Sequence, residues 1–116
     1  MSTIKDRVQL LLELIKKNGT EDIELFNLLV PTYDIQLYYL YNILEDSEIL
    51  EDCKFKPPVI DEELLNITIQ LPRKNIKKCL KYLQSVDFTV QYLEKKTCKL
   101  VVANNDKLLS ITFIKI

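Results

Sequence analysis

The sequence predicts a single α+β domain: about three helices in the N-terminal half, then a mainly antiparallel sheet that carries one basic amphipathic helix. Three observations lead there. Apolar residues recur at spacings of three and four from Ile4 to Leu44. They alternate strictly from Leu65 to Leu71, and three β-rich runs close the chain. At 116 residues there is room for one core, and 47% hydrophobic with 28% charged residues is ordinary globular usage. The one candidate boundary, around Pro57-Pro58, separates a helical half (1–56) from a β-rich basic half (57–116).

The first helix spans residues 3–18, with Ile4, Val8, Leu11, Leu12 and Ile15 on one face. Thr3 suits the N-cap, and Asp6 three residues on completes a capping-box pair. Gly19, the only glycine, stands where an αL C-cap belongs. Thr20 caps a second helix whose first turn carries Glu21, Asp22 and Glu24. Its apolar face is Ile23, Phe26, Leu28 and Leu29, and Pro31 ends it, because the residue before proline avoids helical geometry. A third helix runs from about Asp34 to Leu44. An acidic segment follows at 45–52, and Cys53 to Val59 reads as an ordered linker.

Past the linker the period becomes two. Leu65-Asn66-Ile67-Thr68-Ile69-Gln70-Leu71 argues for a half-buried strand. Pro72 suits the first turn of a helix, which runs from Arg73 to about Val86 with Ile76, Cys79, Leu80, Leu83 and Val86 inward. Phe88–Leu93, Cys98–Ala103 and Leu108–Ile116 then form a meander of two hairpins, broken at Lys95-Lys96-Thr97 and at Asn104-Asn105-Asp106-Lys107.

Charge carries the functional signal. Residues 1–65 hold six Lys/Arg and fourteen Asp/Glu, whereas residues 66–116 hold ten and three. That is −8 against +7 inside a net charge of −1. A concentrated patch of one sign on a nearly neutral chain is an electrostatic footprint for a partner. Lys74, Lys77, Lys78 and Lys81 form a stripe on the helix with Arg73 at its start, and Lys95, Lys96 and Lys99 decorate the following hairpin. Lysines on flexible stems neutralise phosphates without reading bases. With only two arginines in the chain, bidentate base reading is poorly supplied. The expectation is a small non-enzymatic protein that holds DNA or RNA by its backbone. Two other readings stay open: lysines that merely solvate a helix face, and a protein-interaction subunit or adaptor that takes an acidic partner or a second copy of itself.

Tyr33, Tyr38, Tyr39 and Tyr41 are the second cluster, four tyrosines in nine positions. They cannot all face one core from one helix, so either some meet a protein partner or they line the seam between the two halves. The acidic segment, five carboxylates in eight positions, lacks an EF-hand pattern and reads as a solvated turn, or as a mask over the lysine stripe. No metal and no cofactor is expected. Histidine is absent and no glycine-rich loop exists, so the usual nucleophile–base pairs and phosphate cradles are missing. Cys53, Cys79 and Cys98 fit neither a disulfide framework nor a zinc signature, which suits reduced thiols inside a cell. No apolar run reaches the roughly 20 residues a membrane helix needs, and the polar start does not resemble a signal peptide. Abundant Ile, Lys, Asn and Tyr with so little Gly would suit an AT-rich genome, viral or low-GC microbial.

Two stretches resemble winged helix-turn-helix domains. Val8 through Leu50 is similar to their three-helix opening, with Leu11 to Gly19 as the first helix and its stop. Leu71-Pro72-Arg73-Lys74-Asn75-Ile76-Lys77-Lys78-Cys79-Leu80-Lys81-Tyr82-Leu83 is similar to the turn and recognition helix, which would make the next hairpin the wing. The resemblance implies a helix in the major groove and a wing on the backbone, although some such domains are protein–protein modules. The alternating run at Leu65–Leu71 departs from the pattern, since a second helix belongs there. If it is a strand, the second half is β-α-β-β-β.

Overall fold

The computed structural model describes residues 3–17, 23–50, 52–86, 88–96, 99–104 and 108–116. Helix α1 (Ile4–Lys17) opens on the expected capping box. The Asp6 N–H donates to Thr3 Oγ1 at 3.2 Å, and the Thr3 N–H donates to Asp6 Oδ2 at 3.3 Å. Val8, Leu11, Leu12 and Ile15 are its buried face. The expected stop at Gly19 and cap at Thr20 lie outside the described residues.

Helix α2 (Ile23–Asp46) runs the second and third expected helices together across a kink, and the helical geometry breaks at Tyr33, just before the expected start of the third at Asp34. Pro31 breaks the helix with a kink two residues further on. Its ring removes one donor and crowds the carbonyl four residues back. The backbone leaves helical geometry at Tyr33 (φ −124°, ψ 23°) and resumes at Asp34, whose Oδ1 accepts the Ile35 N–H at 2.8 Å. Leu29, Leu37, Leu40, Ile43 and Leu44 turn this helix's apolar side into the core.

The stretch expected as a linker supplies two short strands, β1 (Lys54–Phe55) and β2 (Val59–Asp61). Pro57 and Pro58 separate them, since proline cannot donate to a ladder. Both pair antiparallel with β3 (Leu64–Leu71), β1 at its C-terminal end and β2 at its N-terminal end. The alternating run is thus a strand: Leu65, Ile67, Ile69 and Leu71 are buried, and the residues between them are half-exposed. Because a strand precedes Pro72, the turn into helix α3 (Arg73–Leu83) joins a strand to a helix rather than two helices. Helix α3 stops at Leu83, three residues before the expected Val86, and turn hydrogen bonds at Gln84, Ser85 and Val86 complete it.

Strands β4 (Phe88–Glu94), β5 (Lys99–Asn104) and β6 (Leu109–Lys115) form the expected meander. The sheet is mainly antiparallel, with one parallel pair. Its order is β1-β3-β6-β5-β4, and β3 pairs with β6 in parallel through its centre. The helix α3 connection makes this possible, because it carries the chain from one end of β3 back to the start of β4. All three helices share one core with Leu65, Ile67, Ile69, Leu100, Val102, Ile111 and Phe113. The opposite sheet face, Asn66, Thr68, Gln70 and Thr112 among others, contributes nothing to that core.

Candidate nucleic-acid interface

Helix α3 is short and steeply two-sided. Ile76, Cys79 and Leu83 are buried, and Ile76 and Leu83 each gain roughly 1.5–3 kcal/mol from that burial. Asn75 is buried too, at 1% exposure, where its Nδ2 donates to Asp52 Oδ2 at 3.2 Å. Arg73, Lys74, Lys77, Lys78 and Lys81 all lie on the exposed side. The 3.6-residue period therefore places the whole predicted stripe in solvent.

The described residues of the acidic segment do not mask these cations with ion pairs. Asp46 Oδ2 accepts the Tyr82 hydroxyl at 2.8 Å, and Asp52 takes Asn75. Ser47 Oγ lies 3.9 Å from Cys79 Sγ. The segment is thus fastened to α3 through neutral groups. Among the described residues no carboxylate is within ion-pair distance of Arg73, Lys74, Lys77, Lys78 or Lys81. Burial, and then Asp46, push the Tyr82 phenol up to about 12.

Strand directions locate the hairpin lysines. β3 ends at Leu71 beside the start of α3, and β6 runs parallel to it, ending at Lys115. Lys99 stands opposite Ile114 and Glu94 opposite Lys99, so the β4–β5 turn with Lys95 and Lys96 lies at that same end. Arg73 and Lys74 share this end of the sheet with the hairpin, while Lys77, Lys78 and Lys81 follow α3 away from it. Lys54 and Lys115, not singled out by the sequence pattern, are there as well. Only strand register could have found them.

The tyrosines do not form one surface. Tyr33 is 5% exposed and its hydroxyl donates to the Glu63 carbonyl at 3.0 Å, tying the α2 kink to the β2–β3 turn. Tyr41 is 7% exposed, and burial with Glu45 beside it raises its phenol above the ordinary value. The Arg7 guanidinium sits 5.9 Å from the Tyr38 ring centre and 5.5 Å from that of Tyr41. It also bonds Asn42 and pairs with Glu45 at 3.6 Å. Arg7 is therefore a clasp between α1 and α2, which leaves Arg73 as the one arginine at the basic surface. Of the four tyrosines only Tyr39 is substantially exposed, at 48%.

The thiols of Cys53 and Cys79 are free and buried, and burial pushes them up to about 11 and about 12. Cys98 lies outside the described residues. Among the described residues no group of three or more Cys, Asp or Glu side chains gathers as a metal site. No helix among them is long and apolar enough to cross a membrane. Comparison with protein-family models, with curated proteins and with solved structures finds no match for this chain.

Proposed function

We propose that this chain is a small intracellular, non-enzymatic protein that binds nucleic acid through its phosphate backbone. Helix α3 is the element that meets the ligand, and the β4–β5 hairpin, at the same end of the sheet as the start of α3, takes the part that the winged helix-turn-helix resemblance implies for the wing. One observation carries the reading: five cations occupy the exposed side of α3, and none has a carboxylate at ion-pair distance among the described residues. Such a surface attracts polyanions and releases their counterions, which makes binding strong at low salt and weak at high salt. With Arg73 as its only arginine, the surface favours backbone contact over base reading.

The test is fluorescence anisotropy with labelled duplex DNA and single-stranded RNA across ~50–200 mM salt. Affinity for one of them should fall steeply over that range. Lys77→Glu with Lys81→Glu should weaken it on the order of tenfold or more, alike for unrelated sequences. Unchanged affinity in the double variant would remove α3 from the interface.

A second reading rests on Ile35 and Tyr39, which are 49% and 48% exposed and one turn apart on α2. Together they offer an apolar spot for a protein partner, and the basic side would then meet an acidic one. Failure of every nucleic acid to bind at low salt would favour this adaptor role.

A further inference from the structure

We infer that the phosphate-binding surface extends past α3 across the ends of the strands, as a row in which Lys54 and Lys115 are binding residues. The inference rests on the nucleic-acid reading above and adds a path for the ligand to it.

The row follows from register. Sheet order at this end is β1, β3, β6, β5, β4. β1 brings Lys54 opposite Gln70. β3 leads at once into Arg73 and Lys74. β6 brings Lys115 opposite Leu71, β5 brings Lys99 opposite Ile114, and the β4–β5 turn brings Lys95 and Lys96. Every strand position along this end contributes at least one cation, Lys54 and Lys99 from the Gln70 face and Lys115 from the Leu71 face, so the row follows the strand ends rather than one face of the sheet. All are exposed apart from Lys99, which is half-buried. The described acidic residues here are Asp52, already bonded to Asn75, and Glu94.

Neighbouring strands lie about 4.8 Å apart, so four intervals give a row about 19 Å long, running across the strands. A row of that length meets several successive phosphates of one strand. At the opposite end of β3 stand Asp61, Glu62 and Glu63. A phosphate chain is drawn to one end of the strands and repelled by the other. That polarity selects a polyanion for the row.

The experiment measures oligonucleotide binding, as log K against log salt, for the wild type, for Lys54→Gln/Lys115→Gln and for Lys77→Gln/Lys81→Gln. Urea midpoints check that each variant folds. Both pairs should lower affinity on the order of tenfold or more near 100 mM salt, and each should reduce the slope by roughly 1.4 to 1.8. If the wild type and the Lys54/Lys115 variant bind alike while the Lys77/Lys81 variant is weakened, the row is wrong and the α3 surface stands. If the wild type binds no oligonucleotide at low salt, both fall together. Displacement of the oligonucleotide by poly-glutamate at equal charge concentration would also overturn the row as a phosphate path, since it would show a site for acidic polypeptide.

Discussion

Among single residues, the buried acids decide how the fold responds to alkali. Cys53 and Cys79 ionise at about 11 and about 12 in the folded chain, against 9.0 for a free thiol, chiefly because burial penalises the thiolate. Ser47 beside Cys79 acts in the opposite direction, and Cys53 adds to the rise. The folded state therefore holds its protons where the unfolded chain has lost them. Stability is fully present below pH 9 and falls as pH rises toward 12. Surface lysines also titrate near that range, so the informative quantity is a difference between proteins. Urea midpoints of the wild type should drop more steeply from pH 8 to 10.5 than those of Cys53→Ala/Cys79→Ala; parallel curves would refute the assignment. At this scale the sequence was uneven in what it made legible. The spacing of Lys74, Lys77, Lys78 and Lys81 sufficed to place them on one exposed face, because helical period depends on local sequence alone. A place in the seam between the halves was open to the tyrosines, but the partner of Tyr33 was not legible, because it is a carbonyl thirty residues away.

Elements show the same division between local and distant causes. The capping box at Thr3 and Asp6, the strand at Leu64–Leu71 and the meander all follow from short-range pattern and are present. Strand partners are not local, so the parallel β3–β6 pairing and the edge strands β1 and β2 left no signature. The β2–β3 hairpin shows why. Its two-residue turn is Glu62-Glu63, both at positive φ (47° and 71°), the geometry of a type I′ turn that Asn-Gly normally occupies. For glutamate each left-handed position costs roughly 1–2 kcal/mol. The Tyr33 hydroxyl on the Glu63 carbonyl offsets part of this. Replacing Glu62→Asn and Glu63→Gly should therefore stabilise the protein by about 1 kcal/mol, after allowing for the added freedom of glycine in the unfolded chain. Urea unfolding measures it, and a loss of stability would mean that the glutamate side chains contribute contacts outweighing the strain.

On the scale of the whole molecule, the charge split becomes a separation along the strands. In sequence it divides residues 1–65 at −8 from 66–116 at +7, but Lys54 belongs to the first group and stands among the second. Folding thus gathers cations from both halves of the chain at one end of the strands. The eight residues of β3 at about 3.3 Å each put Glu62 and Glu63 about 26 Å from Arg73 and Lys74. Screening decides whether that distance matters. The Debye length is ~8 Å at 0.15 M ionic strength and ~30 Å at 0.01 M. The acidic turn should be invisible to a ligand on the basic end in the first condition and repel it in the second. Glu62→Gln/Glu63→Gln, which keeps side-chain shape, should leave oligonucleotide affinity unchanged at ~150 mM salt and raise it at ~10 mM. An equal gain at both ionic strengths would place the ligand near the β2–β3 turn, and the strand-end row would no longer describe its path.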